Sequence, residues 1–304
     1  AGTLPVFADI DRSLCVDPVD FARKITPRTK ALIAVHLLGG PCDMDPILET
    51  ARKKGVRILE DAAQCVGGSY HDAKLGSIGD VGIYSFQLHK MISSGEGGAV
   101  VSSDPEIFER AVRFHDMGGL RDVFQDRIGG ERLSRFAGEN FRMSEFTGAV
   151  LGAQLPKLDT MLRELRENAD AVREGIKKLP GIKMRKRPDP SGDNGYAIYF
   201  EAGNKQTRDR CITELRTRGI PASTLTGSVL LPIQESVMNK RARHPNWPSF
   251  DTPEGKAIEY GPDSCRQTLE IFDRFVQVRI GPKYTAAMND RVIDSIREVY
   301  TLVT

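Results

Sequence analysis

The sequence predicts an α/β protein: a large domain built on a mostly parallel but mixed sheet, followed by a smaller α+β domain. Three observations carry this. From the N-terminus to about residue 115, short β-rich runs alternate with helical ones, as expected for a sheet with helices on its faces. Between Met143 and Lys178 the apolar residues Leu151, Leu155, Leu158, Leu162 and Leu165 recur at steps of three and four, one face of a long helix. Beyond it the pattern turns to strand, then helix. The boundary is placed in the long helix, giving domains 1–160 and 161–304.

In order, "LPVFADI" reads as a strand with its exit turn, "DPVDFARKI" as a helix, "KALIAVHLL" as a strand and "DMDPILETARKKG" as a helix. "VRILED", "VGIYSF" and "GGAVVSS" are strands crowded together without long helices between them, which makes the sheet mixed. Asp104 is placed to cap the helix opening at Pro105, and Gly118 and Gly119 are its stop signals. A charged, Gly-containing stretch from Gly118 to Asn140 reads as a long functional loop. Pro156 is expected to kink or split the long helix. In the second domain "GIKMRKRPDP" and "YAIYFEA" precede the helical "TRDRCITELRTRG".

Composition narrows the function. Within 304 residues, 43 basic and 41 acidic side chains nearly cancel, so no whole-chain charge recruits nucleic acid or an anionic membrane. No apolar run approaches the ~20 residues of a membrane span, and no leader is read, so the chain is expected to be cytoplasmic. Its five cysteines are widely spaced, odd in number and free of CxxC, which argues for reduced thiols and against a zinc site. The first residue is Ala1 and the chain enters at once on "TLPVFADID", as though partway through a fold, so an upstream segment is expected.

The chemistry gathers at two strand ends. Asp61 closes an apolar run in "ILEDAAQ", and Lys90 follows the strand "VGIYSF", five residues before Gly95 of a Gly-Glu-Gly-Gly turn. Open α/β sheets gather ligands just past such C-terminal strand ends. A bland reading is an ion pair tying two loops. The sharper reading is a pyridoxal phosphate site, which needs a lysine for a Schiff base and a carboxylate to keep the pyridine nitrogen protonated. Ser85, ending its strand, is a candidate for the phosphate, and Gln64, three residues after Asp61, for the ring hydroxyl.

"EDAAQ" at 60–64, "GSIGDVGIYSF" at 76–86, Lys90 with "GEGG" at 95–98 and "NFRMSEFTGAVLGAQL" at 140–155 resemble, in order and spacing, the signature blocks of the DegT/DnrJ/StrS sugar aminotransferases. "TPRTKALIAVHLLGGPCDMDPI" is similar to the segment ahead of the family's aspartate, so the resemblance runs from Pro5 to about Leu158. It implies the fold-type-I architecture of pyridoxal phosphate enzymes and a homodimer with its site at the subunit interface. It further implies transfer of an amino group from L-glutamate or L-glutamine to a keto-sugar, nucleotide-linked. Lys90 would be the Schiff-base lysine and proton carrier, and Asp61 the partner of the pyridine nitrogen. Gln64 would contact the ring hydroxyl and Ser85 the phosphate. Asn140, with Arg142 near it, would reach the cofactor phosphate or substrate of the neighbouring subunit. A family feature ahead of the equivalent of Pro5, a Thr/Ser phosphate-binding turn followed by a stacking aromatic, is not in this sequence, so part of the cofactor cup is expected to be missing.

Other candidates stand beside these. In a dehydratase branch of the family a histidine replaces the lysine. Counting back from Gly95 puts Lys90 at that place and leaves His89 as a neighbour that shapes the pocket or packs. His36, at a strand end, is a candidate lining residue or a structural histidine. The basic run 183–195 reads as a solvated face, with a sugar-diphosphate contact as its alternative, and the Pro-rich 240–250, with Trp247, as a surface loop, with the sugar entrance as its alternative. Two alternatives remain open: a dehydratase of the same fold, and a non-catalytic binding protein that retains it.

Overall fold

In a computed structural model, residues 2–225, 230–242 and 250–304 are described. Helix α1 (Pro18–Lys24) starts the regular structure, with Asp17 accepting from the Val19 amide and Pro18 at the first position, where a missing N–H costs nothing. Strand β1 (Ala31–Val35), helix α2 (Met44–Lys54) and strand β2 (Arg57–Asp61) follow, and Gly55 ends α2 at φ 66°. A small hairpin, β3 (Ser69–Tyr70) and β4 (Ala73–Lys74), precedes β5 (Val81–Ser85) and β6 (Gly98–Val101).

These strands form a sheet in the order β1-β2-β5-β6, with β1, β2 and β5 parallel and β6 antiparallel to β5. The mixed sheet expected from the crowded later strands is therefore present. The strand expected at "LPVFADI" is not. Only the isolated bridge Ile10–Val16 forms there, and the amides of Asp9 and Ile10 are taken by the side chains of Asp20 and Thr268. With those donors satisfied by side chains, no ladder is needed.

Helix α3 (Pro105–His115) is capped as its sequence predicts: Asp104 accepts from the Glu106 and Ile107 amides. The charged loop after it contains a short helix, α4 (Asp122–Ile128), ended by Gly129 in the left-handed region. The loop closes on itself at its base, where a Cβ at Gly118 would lie 1.6 Å from the Phe136 carbonyl oxygen. Only glycine permits that approach. The long periodic segment is two helices, α5 (Glu145–Gln154) and α6 (Leu158–Ile176), separated by a 3-10 turn that holds Pro156.

Strands β7 (Lys183–Met184) and β8 (Ala197–Glu201), helix α7 (Lys205–Thr217), strand β9 (Ala222–Ser223), helices α8 (Glu235–Met238), α9 (Pro253–Ala257) and α10 (Arg266–Phe272), strand β10 (Phe275–Arg279) and helix α11 (Ala286–Val303) complete the chain. The second sheet, β7-β8-β10-β9, is antiparallel throughout. No described helix is long and apolar enough to cross a membrane.

Contacts divide the chain into two compact units. One comprises Ala1–Thr26, Leu165–Lys186 and Gly195–Thr304, the other Pro27–Glu164 and Arg187–Asn194. The contacts thus group Ala1–Thr26 with the C-terminal part, which a division at residue 160 does not. In the first unit, Phe200 and Ile198 of β8 and Val276 and Val278 of β10 pack with Leu215 of α7 and Ile296 of α11, all fully buried. Phe200→Ala should destabilise this unit by about 3–5 kcal/mol, since the lost transfer energy is compounded by a cavity. A urea unfolding curve whose midpoint does not move would contradict that packing. The basic run 183–195 is partly structural: Arg185 is buried, donates to the Ser13 carbonyl at 2.6 Å and lies over the Tyr199 ring, and Lys186 pairs with Asp11.

Candidate active site

The site sits at the C-terminal ends of the parallel strands in the unit containing residues 27–164. In register, Val35 of β1 pairs with Asp61 of β2, and Asp61 with Ile83 of β5. Paired residues share a face and alternate ones return to it. Asp61 and Ser85 therefore project from the same face of neighbouring strands, which also carries the exposed Ile33 and Val100.

Lys90 is placed by the turn that leaves β5. The Phe86 amide donates to the Gly97 carbonyl at 2.9 Å, and the Phe86 carbonyl accepts from the Ser94 amide at 3.0 Å, folding 87–97 back on itself. Phe86 and Ile92, buried with Val66 against Met143, Leu151 and Leu158, pin both shoulders. Between them Lys90 is half-buried, its amide donating to the Gln87 carbonyl at 2.9 Å.

Among the described residues no ion pair joins Lys90 to Asp61, so the loop-tying ion pair is not formed. Asp61 Oδ1 accepts only from the Ala63 amide, at 3.0 Å, two residues on. The structure thus spends neither the ammonium nor most of the carboxylate on holding itself together. Both remain available to a ligand, as pyridoxal phosphate requires of its lysine and its ring-nitrogen partner. Ser85 Oγ accepts from the Gln87 amide at 3.4 Å and keeps its own proton for an anion. By this test the residues fit the cofactor.

The other candidates separate. Gln64 is exposed, with its side-chain oxygen accepting from the Leu38 amide at 3.2 Å and its amide nitrogen left to donate. His89 is exposed, and its amide donates to Gln87 Oε1. His36 belongs to the interior. It is fully buried, its Nδ1 accepts from the Cys42 amide at 3.1 Å, and its Nε2 is therefore the protonated nitrogen, donating to Glu60 Oε2 at 2.9 Å. With both ring nitrogens engaged, it is the structural histidine. Trp247 lies outside the described residues.

Asn140 and Arg142 form a second group. Asn140 is exposed and bridges Asp116, while Arg142 Nη1 donates to Asp116 Oδ1 at 2.5 Å. Arg121 holds the other Asp116 oxygen at 2.6 Å. Burial pushes the Asp116 carboxyl up, but the guanidinium groups of Arg142 and Arg121 outweigh it and hold the carboxyl below its ordinary range. Among the described residues neither Asn140 nor Arg142 bonds to Asp61, Gln64, Ser85 or Lys90.

Sequence reasoning passed over Glu60. It is fully buried and accepts four hydrogen bonds: from His36 Nε2, and from the amides of Gly76 at 2.8 Å, Ile78 at 2.7 Å and Gly79 at 2.6 Å. The available signal was alternation along β2, which turns Glu60 inward if Asp61 faces the crevice. Burial alone pushes the Glu60 carboxyl up, yet His36 and the Gly79 and Gly76 amides hold it below its ordinary 4.5. A carboxylate depressed in the folded state stabilises above its unfolded value, and that stability is lost as pH falls through the folded one. Melting temperature should therefore drop as pH falls below about 4.5, and Glu60→Gln should flatten that drop while lowering the neutral-pH value. Parallel curves for the two proteins would show that Glu60 contributes nothing to acid sensitivity.

Known proteins resemble this chain over most of its length. Over 274 residues the chain is 30% identical to the GDP-perosamine synthase of Escherichia coli O157:H7, covering 85% of this chain and 71% of that one. It is 32% identical over 284 residues to the dTDP-3-amino-3,4,6-trideoxy-alpha-D-glucose transaminase of Streptomyces venezuelae, covering 93% and 67%. The solved structure of the sugar aminotransferase CalS13 from Micromonospora echinospora superimposes with a TM-score of 0.76 at 25% identity, covering 96% of this chain and 73% of that one. The profile of the DegT/DnrJ/EryC1/StrS aminotransferase family matches residues 1–249. The chain belongs to that family of PLP-dependent sugar aminotransferases.

Proposed function

We propose that this chain moves an amino group from L-glutamate or L-glutamine to a nucleotide-linked keto-sugar. The observation that carries the reading is the pairing of uncommitted groups at adjacent strand ends: among the described residues Lys90 has no bond to its ammonium and Asp61 only a local one. Two relatives whose names contain GDP- and dTDP-linked sugars support the nucleotide-linked substrate. The lysine at position 90 favours amino transfer over the dehydratase alternative, in which a histidine stands there.

Pyridoxal phosphate, when bound, supplies an aldehyde and an electron-accepting ring. Asp61 would hold a proton on the ring nitrogen, which keeps the ring electron-poor. Ser85 Oγ would donate to the phosphate and Gln64 to the ring hydroxyl. Lys90 Nζ would take the proton from the donor's α-carbon. It can act so only as the neutral amine.

Asn140 and Arg142, which make no bond to this group among the described residues, are assigned to the neighbouring subunit's site. Helix α5 supports the homodimer that this requires: among the described residues none of its ten is buried, and Phe146 and Val150 are exposed. A cytoplasmic location goes with a soluble biosynthetic role.

The test is an absorption spectrum of the protein with pyridoxal phosphate, before and after L-glutamate. A visible band that depends on Lys90 and bleaches on adding the donor is expected. A protein that stays colourless at saturating cofactor would overturn the aminotransferase reading and favour the non-catalytic one.

A further inference from the structure

We propose that Glu60 and His36 are positioning residues that aim the Asp61 carboxylate, so that the acidic pair Glu60-Asp61 is one device with an anchoring and a working member. The inference rests on the reading of Asp61 as the partner of the cofactor's ring nitrogen.

The two acids leave β2 on opposite faces. Glu60 turns into the covered side and is fully buried, whereas Asp61 is half-buried on the side that carries Ser85. His36 grips both: its backbone amide donates to the Asp61 carbonyl at 3.0 Å, and its ring Nε2 donates to Glu60 at 2.9 Å. The Cys42 amide fixes the tautomer by donating to Nδ1. On the other side the Ala62 amide donates to the Ile83 carbonyl at 3.0 Å, joining the end of β2 to β5.

Glu60 also holds the loop that enters β5. Three consecutive or near-consecutive amides, of Gly76, Ile78 and Gly79, point at its two oxygens. The loop has nowhere else to go: Tyr84 Oη donates to the Leu75 carbonyl at 2.6 Å, and a Cβ at Gly82 would lie 1.9 Å from the Gly76 carbonyl oxygen. One carboxylate therefore sets the heights of β1, β2 and β5 relative to one another at the end where Asp61 and Ser85 emerge.

Charge is essential to the arrangement. Four N–H donors converge on Glu60, and a carboxylate offers only acceptors. A glutamine would turn its NH2 group toward at least one of those donors, either the His36 ring or the loop amides. One of them must retreat. His36 holds the Asp61 backbone and the loop leads into β5, to which the Ala62 amide is bonded, so either retreat moves the end of β2. Outer-layer groups that orient a ligand typically alter affinity about 10- to 100-fold when replaced.

The test uses the full chain with pyridoxal phosphate as probe, comparing parent, Glu60→Gln, His36→Asn and Asp61→Asn. Cofactor affinity is read by titration, and the visible band is followed against pH. His36→Asn keeps an acceptor for Cys42 but removes the donor to Glu60, and it decides the matter if Glu60→Gln does not fold. Glu109→Gln serves as a control for destabilisation alone, since Glu109 is an equally buried carboxylate on α3 that accepts from Arg113 and from the amides of Arg132 and Leu133.

Glu60→Gln is expected to weaken cofactor binding roughly 10- to 100-fold and to move the pH dependence of the band in the same direction as Asp61→Asn. His36→Asn should do so to a smaller extent. Glu109→Gln should lower the melting temperature and leave affinity and band unchanged. A folded Glu60→Gln or His36→Asn with the parent's affinity and pH profile would overturn the proposal while leaving the aminotransferase reading intact, as would equal losses in Glu109→Gln. A parent that never forms a Lys90-dependent band removes both.

Discussion

Replacing Lys90 with Ala is expected to reduce amino transfer by at least about 10^3- to 10^4-fold, since in the role proposed for it the side chain is both the covalent attachment point and the base that carries the proton. Fold stability should change by no more than about 0.5 kcal/mol, the range of substitutions that break no structural contact. The structure supports that separation: the turn is anchored by Phe86 and Ile92 and by backbone bonds, and the Lys90 side chain contributes none of them. Single-turnover rates with L-glutamate, beside a thermal melt, check both halves. A variant that retains more than a hundredth of the parent rate would rule out Lys90 as the proton carrier.

Phe146→Glu is the second large effect, expected on assembly. Phe146 is 88% exposed on α5, and Phe141, Phe114, Val150 and Leu155 are exposed apolar residues of the same unit. Single exposed apolar side chains are ordinary, but a helix with an apolar composition and no buried residue is not. A central aromatic at an interface is worth about 2 kcal/mol or more. In a two-fold assembly the substitution occurs twice, so dimer dissociation should strengthen by roughly 10^3-fold. Sedimentation across a concentration series measures this directly. Because Asn140 and Arg142 are assigned to the partner's site, activity should fall with the dimer and recover at high protein concentration. A parent that is monomeric at micromolar concentration would contradict the interface.

Much of the local structure could be read without coordinates because it is determined by residues close in sequence. Asp104 and Pro105 start α3 because a carboxylate within two or three residues can satisfy the first free amides. Pro156 divides α5 from α6 because its ring cannot donate. The alternation of β1, α2 and β2 is visible because each element carries its own period. The same logic failed at residues 4–10, where a β-rich composition had no ladder to join, the amides of Asp9 and Ile10 being met by Asp20 and Thr268.

The candidate site divides the same way. Asp61, Ser85 and Lys90 could be named from sequence because each lies at or just past a strand end, a one-dimensional landmark. What those residues touch could not. Glu60 became visible as an anchor only once Gly76, Ile78 and Gly79 were seen to point at it, and His36 became structural only once both ring nitrogens were engaged. Arg185, read as part of a basic run, is buried against Tyr199 and Ser13. Similarly, Arg142 could be named but not its partner Asp116, 26 residues earlier. The sequence by itself determined the order of elements, their caps and breaks, and the residue types that suit pyridoxal phosphate. Only the tertiary structure decided which charges are spent on the fold and which are left for chemistry, because satisfying a buried polar group depends on donors brought from distant parts of the chain.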